Sequence, residues 1–361
     1  MDVSALYLKI QSQLDQQLPF VVYKKSGEKL LHSFLQHDDN LYELDSYGTS
    51  GFVFAPFDNE KKPIVIPTNK STCDHVVIPE KENALDSFGI TKLNSADQNQ
   101  TDKSNHIELV DHGIKAIVDT SFRKVVLSRK EEVIFKDKKP LDVFQLLIDN
   151  YPKAFVYCWY HPNIGIWLGA TPETLVTIKG DTFFTMALAG TQPFTNSIEV
   201  DWGIKEIEEQ AMVTEFVLKE LTSKVDSIEK SKSYTHKAGT LLHLRTDIKG
   251  TLKNRNSSVE EIIKVLHPTP AVCGLPKKEA KSFILENEGY DRKYYTGFLG
   301  ELNKVQNGIS ESNLYVNLRC MEIECDKAIV YVGGGITKDS IPEKEWEETV
   351  RKTETMKKVL N

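Results

Sequence analysis

LYVNLRCMEIECDKAIVYVGGGIT, residues 314–337, decides how the chain is to be read. Leu314–Glu324 and Ala328–Val332 are runs of apolar and β-forming residues, joined at Cys325-Asp326-Lys327. Two such runs around a short polar turn read as a hairpin, which makes neighbouring strands antiparallel. Upstream, Thr174–Ile178 and Thr182–Leu188 flank Lys179-Gly180-Asp181 in the same way. Phe20–Lys24, Gly51–Ala55, Pro63–Pro67, Lys124–Arg129, Ala154–Tyr160, Ile164–Leu168 and Tyr294–Asn303 read as further strands. Residues 3–17, His106–Ser121, Leu141–Tyr151, Val200–Ser223, Val259–Leu266 and Lys277–Asn287 read as helices, and Pro342 opens a last one. Leu93–Asn105 is rich in Asn, Asp, Gln, Ser and Thr and reads as an exposed loop. Hairpins alternating with helices predict a mixed, mainly antiparallel α/β (α+β) sheet rather than a βαβ repeat.

Composition sets the outer bounds. The chain has 361 residues, 40% hydrophobic and 27% charged, with a formal net charge of −7. It is long enough for a large core. Its lysines are scattered among acids, which argues against nucleic acid or an anionic membrane as partner. No apolar run approaches the roughly 20 residues of a membrane helix, and Met1–Pro19 lacks the layout of a signal peptide. The five cysteines contain no CxxC pair, so reduced and mostly buried thiols in a cytoplasmic protein are expected.

Two helices place carboxylates beside apolar faces. In Val200–Ser223, Lys205, Glu208, Glu215 and Lys219 share the face read as solvent-exposed. Glu206 and Glu209 lie with Val213, Phe216 and Val217, where a charge is costly unless paired or bound to metal. In the last helix, Glu345, Glu348 and Lys352 form a row beside Trp346, Val350, Met356 and Leu360. Geometry alone leaves ordinary ion pairs open in both helices, and Glu348–Lys352 is a common i,i+4 pair. Gly333-Gly334-Gly335 precedes this helix and allows close backbone approach to an anion, though a plain turn reads equally well. Oxygen-only ligands on paired glutamates suit Mg²⁺.

Taken together, these segments resemble the chorismate-utilising enzymes, over residues 105–358. The resemblance rests on Lys124-Val-Val-Leu-Ser-Arg129, Leu168-Gly-Ala-Thr-Pro-Glu173, Ala187-Leu-Ala-Gly-Thr191, Lys205-Glu-Ile-Glu-Glu209, His267-Pro-Thr-Pro-Ala-Val-Cys-Gly274, Tyr294-Tyr-Thr-Gly297, Tyr315-Val-Asn-Leu-Arg319, and Gly333-Gly-Gly-Ile336 followed by Glu345-Trp-Glu-Glu-Thr349. It implies two large, mainly antiparallel sheets flanked by helices, in one domain spanning 1–361 with a less recognisable part at 1–104. It implies Mg²⁺ on Glu209 and Glu348, with Glu206 and Glu345 holding its waters. The ring carboxylate would lie near Gly333, Gly335 and Lys352. Arg319 and Tyr295 match positions that bind the enolpyruvyl carboxylate, and a guanidinium offers a flat, two-pronged donor set for it. Gly190, Thr191 and His243 match further substrate positions.

Within the family, three positions separate the chemistries. Lys124 matches the lysine of members that use water, and Glu173 matches the general acid. As a pair they would add water at C2 of chorismate and release the C4 hydroxyl. Ala189 stands where aminodeoxychorismate synthases can carry a nucleophilic lysine. Ala271 stands where anthranilate- and salicylate-forming members carry threonine. The resemblance therefore implies isochorismate synthase chemistry, acting as a monomer without a glutaminase subunit and feeding menaquinone, a siderophore or another product. Salicylate synthase, an aminating synthase and a non-catalytic chorismate binder are the alternatives. The chain departs from the family at Gln210, where many members have histidine.

Overall fold

The computed structural model describes residues 1–79, 100–120, 122–135, 138–195, 197–238, 241–253 and 255–360. Among them, the strands form two nine-stranded sheets. The first runs β14 (Gly274–Leu275), β6 (Lys124–Ile134), β18 (Lys327–Ile336), β17 (Cys320–Glu324), β8 (Gly165–Thr171), β7 (Phe155–His161), β1 (Phe20–Lys24), β2 (Leu30–Gln36), β5 (Ser71–Val77). The second runs β11 (Val225–Lys230), β13 (Leu241–Leu252), β10 (Thr182–Pro193), β9 (Thr174–Lys179), β16 (Ile309–Val316), β15 (Phe298–Gln306), β3 (Gly51–Ala55), β4 (Ile64–Pro67), with β12 (Tyr234–Ala238) also on β13. Neighbours pair antiparallel throughout, as in β7–β8 and β17–β18.

The central strands are apolar on both faces because both faces are covered. In β7, Phe155, Tyr157 and Trp159 enter an aromatic layer shared with Phe52 and Phe54 of the second sheet. Val156, Cys158 and Tyr160 point the other way, towards α1 (Val3–Asp15), α3 (Pro140–Asn150) and the end of α7 (Pro342–Leu360). This is the period of two expected of a strand. The outer face of the second sheet is covered by α4 (Ile204–Thr222) and α5 (Arg255–Leu266). A further cluster joins β6 to α2 (Gln100–Asp119) and α6 (Lys277–Asn287). The first hundred residues complete both sheets, with β1, β2 and β5 in one and β3 and β4 in the other.

Several expectations are corrected. Leu314–Glu324 is not one strand: β16 and β17 belong to different sheets, and Asn317-Leu318-Arg319 carries the chain between them, with Arg319 at φ 48°. Tyr294–Gly297 is turn, so that strand starts at Phe298. α2 begins at Gln100, inside the stretch read as a loop, and the remainder of that reading, 93–99, lies outside the described residues. Polar composition did not prevent a helix there, because Val110 and Ile117 give it a buried stripe. Strands β2, β5 and β11–β14 had no counterpart in the sequence reading. The cysteines are all free, three buried and two, Cys73 and Cys325, exposed. Among the described residues no helix is long and apolar enough to cross a membrane.

Gly274 shows how tightly the start of β6 is held. It pairs with Val125, has φ +139°, and a Cβ there would meet the Lys124 carbonyl oxygen at 2.2 Å. Gly274→Ala is expected to destabilise the chain by about 2 kcal/mol or more, read as a lower urea midpoint with an unchanged m value.

Candidate active site

The candidate site is built where the chain changes sheets. Glu173 follows Pro172 between β8 and β9, and Arg319 lies between β16 and β17. The two crossovers are hydrogen-bonded to each other. Ala170 N–H donates to the Arg319 carbonyl at 3.0 Å, Val316 N–H to the Glu173 carbonyl at 3.0 Å, and the Thr171 hydroxyl to the Val316 carbonyl at 2.6 Å. Asn317 accepts from the Tyr157 hydroxyl at 2.7 Å and donates to the Tyr294 carbonyl at 2.9 Å. That bond ties the turn carrying Tyr295 to the same junction.

Burial sets the charges on this wall of the cleft. It pushes the Glu173 carboxyl up to about 7, with Lys124 and then Arg319 opposing the shift. Burial also pulls Arg319 downward, but a guanidinium stays charged. Its Nη1 is buried and, among the described residues, has no hydrogen-bond partner, so the cleft holds a guanidinium with donors free for an anion. His243 Nδ1 lies 2.8 Å from the Gly190 carbonyl, which can only accept, so Nδ1 carries the proton. Burial, with the charge of Arg319, lowers His243 to about 3. The ring is therefore neutral, and its buried, unpartnered Nε2 is an acceptor. A purely structural histidine would have both nitrogens satisfied. Tyr295 stacks on Tyr331, with centroids 5.6 Å apart.

The opposite wall is made by glutamates and lysines. Lys124 is fully buried (0% exposed), and its Nζ lies 2.7 Å from Glu209 Oε1. β6 thus reaches across to α4, and Lys124 does not extend to solvent. Gly335 permits this approach, because a Cβ there would meet Glu209 Oε1 at 2.7 Å and the Lys124 Cε at 3.1 Å. Glu348 pairs with Lys352 at 2.6 Å, and Lys352 also donates to the Gly333 carbonyl at 3.1 Å. Burial pushes Glu348 upward, but Lys352, with Lys205 and Arg351, outweighs it and holds the carboxyl below its ordinary range. α7 is fixed from behind by Arg129, whose guanidinium lies 4.4 Å over Trp346 and whose Nε donates to the Thr349 hydroxyl at 2.8 Å.

One residue of this wall was misassigned from the sequence. Lys205 is not on the solvent face with Glu208, Glu215 and Lys219, which are exposed as expected. It lines the cleft, and its Nζ lies 2.7 Å from Glu345 Oε1. The helical wheel ranked faces by apolar content and took no account of a helix end overhanging a cleft. Phe216 is only half-buried, while Val213 and Val217 are buried.

A single cleft is lined by every anticipated site residue except Lys124 and Glu345. Lys124 lies just behind Gly335, and Glu345 behind Gly334, where a Cβ would come within 3.6 Å of its Oε2. Ala271 lines the cleft; Tyr331 also lines it and was not anticipated. Gln210 donates to Thr214 and Thr246 at 2.9 and 2.7 Å, a buried polar contact that leaves it no ligand role. Among the described residues no three His, Cys, Asp or Glu side chains are already gathered as a metal cage. The donor set nevertheless fits Mg²⁺: Glu206, Glu209 and Glu348 present carboxylate oxygens to one cleft, and this ion keeps waters and completes its shell with a substrate anion.

Comparison with known proteins places the chain in a family. Residues 68–361 match the family model described as chorismate binding enzyme. Isochorismate synthase DhbC of Bacillus subtilis is 30% identical over 268 residues, 70% of this chain and 66% of that protein. Isochorismate synthase MenF of Haemophilus influenzae is 26% identical over 334 residues, 86% of this chain and 74% of that protein. The fold matches that of MenF, the menaquinone-specific isochorismate synthase from Escherichia coli, with a TM-score of 0.76 at 19% identity, covering 96% of this chain and 89% of that one. The chain belongs to the chorismate binding enzyme family.

Proposed function

We propose that the chain is a Mg²⁺-dependent isochorismate synthase, an isomerase interconverting chorismate and isochorismate. The observation that carries this reading is a buried acid that lines the cleft, Glu173, pushed towards neutrality, together with a buried lysine just behind the cleft wall, Lys124. The names of the relatives and Ala271, in place of threonine, support release of isochorismate without pyruvate elimination.

In this reading Arg319 and Tyr295 bind the enolpyruvyl carboxylate. The Gly333–Gly335 backbone and Lys352 hold the ring carboxylate, and Gly190, Thr191 and His243 orient the ring. Glu209 and Glu348 hold Mg²⁺, with Glu206 and Glu345 holding its waters. When bound, the ion supplies positive charge that anchors the ring carboxylate. Lys124, acting as the neutral amine after releasing its own proton, takes a proton from water as the water oxygen bonds to C2. The C1–C2 and C5–C6 double bonds shift to C1–C6 and C4–C5, and the C4–O bond breaks. Glu173 gives its proton to the leaving hydroxyl, so one water is consumed and one released.

Incubation with chorismate and Mg²⁺ is expected to give isochorismate as the sole new product on chromatography, and none after chelation of the metal. Salicylate with pyruvate, or turnover dependent on ammonia or glutamine, would replace this reading with another. Lys124→Gln and Glu173→Gln should each lower kcat by about 10²- to 10⁴-fold with an unchanged circular dichroism spectrum; near-normal turnover in either removes the acid–base pair. Glu173 also leaves a mark on stability. Its carboxyl is raised from 4.5 to about 7, so the folded chain keeps a proton that the unfolded chain has released. Stability should therefore fall as pH rises from about 4.5 to about 7, by up to roughly 3 kcal/mol, and Glu173→Gln should abolish that fall in denaturant melts.

A further inference from the structure

Lys205 is placed against the electrostatic preference of its own helix. It is the second residue of α4, where the helix dipole disfavours a cation. A lysine there would ordinarily extend into water. Its ammonium instead turns inward to Glu345, with side-chain exposures of 33% and 4% for the two partners. Burial opposes its charge, but Glu345, Glu209 and Glu348 outweigh burial and raise it. The pair crosses from α4, packed on the second sheet, to α7, packed on the first. Among the described residues no other ion pair joins these two helices directly.

The charges around the cleft make the contact more than a brace. Glu206, Glu209, Glu345 and Glu348 bring four negative charges close together. Lys124, Lys205 and Lys352 each engage one of them, and among the described residues only Glu206 has no ion-pair partner. Unlike Lys124 and Lys352, Lys205 was assigned no place in the site.

We propose that Lys205 is a positioning residue that holds Glu345 and sets the net charge of the carboxylate cluster, so that the site binds a bare divalent cation weakly and favours the cation together with a doubly negative substrate. The proposal rests on the reading of these glutamates as the Mg²⁺ site. Its physical content is a pair of opposite effects. Removing one positive charge strengthens attraction for a dication and weakens attraction for a dianion. A residue that only held the two helices in place would, when lost, weaken both.

The test compares the full chain with Lys205→Met and Lys205→Arg. Mg²⁺ binding is measured by calorimetry without chorismate, and the KM for chorismate at saturating Mg²⁺. Lys205→Met should bind Mg²⁺ about tenfold more tightly while its KM for chorismate rises about tenfold; Lys205→Arg should stay near the parent in both. If Lys205→Met fails to fold, Lys205→Gln, which can still donate to Glu345, carries the same expectation. Both affinities weakening together, or neither moving, overturns the proposal. A parent chain that binds no Mg²⁺ in calorimetry and leaves chorismate unchanged would instead overturn the functional reading beneath it.

Discussion

The ion pair between Lys124 and Glu209 governs how the two halves of the molecule meet. An ammonium with no exposed surface cannot be left without an anion, because the desolvation cost is several kcal/mol. Its anion comes from α4, which packs on the other sheet. The contact favours glycine at 335, where a Cβ would meet Glu209 Oε1 at 2.7 Å and Lys124 Cε at 3.1 Å. The triple glycine is thus explained by what lies against it. Gly333, Gly334 and Gly335 pair in register with Ser128, Leu127 and Val126, so they are strand residues and not a free loop.

The second constraint is the pair of crossovers. A strand passing from one sheet to the other must expose backbone groups at the bend, and here the two bends satisfy each other through Ala170–Arg319 and Val316–Glu173 bonds. Glu173 and Arg319 therefore arrive at the cleft on backbone whose carbonyls are bonded to the other crossover. Glu173 is buried by the sandwich and Arg319 is half-buried with its Nη1 buried, which raises the carboxyl and strips water from part of the guanidinium. The aromatic layer of Tyr157, Trp167 and Tyr331 beneath them gives that junction a rigid floor.

These two constraints explain what could be read from the sequence. Strands buried on both faces, such as Phe20–Lys24 and Gly51–Ala55, announced themselves with correct ends, and so did α6 at Lys277–Asn287. β11–β13 did not, since polar residues are frequent in them and pairing, of β13 with β10 and of β11 and β12 with β13, makes the strands where intrinsic preference does not. Leu314–Glu324 misled because local pattern carries no information on which sheet a residue joins. The ordered motifs brought the candidate site residues to mind before any geometry. Helical spacing alone left Glu206, Glu209, Glu345 and Glu348 ambiguous, and it placed Lys205 on the wrong face. What was not legible was which cation each carboxylate faces, because every one of these pairs but Glu348–Lys352 joins segments far apart in sequence.

The wall opposite the glutamates adds a selectivity that charge alone would not supply. Arg319 is a permanent cation, and a protonated His243 beside it would place two positive charges in a dry cleft. The protein avoids this by holding His243 neutral, with its proton committed to the Gly190 carbonyl. What a ligand would meet, among the described residues, is an unpartnered guanidinium NH₂ group and an unpartnered imidazole lone pair. The first seeks an anion and the second seeks a hydroxyl donor. A simple dianion could satisfy Arg319 but would leave Nε2 facing an acceptor, which costs free energy in a buried site. A ligand that carries both a carboxylate and a hydroxyl satisfies both. Under the function proposed above, the enolpyruvyl carboxylate and the C4 hydroxyl of chorismate would fill these two roles, and His243 would help to orient the bond that breaks.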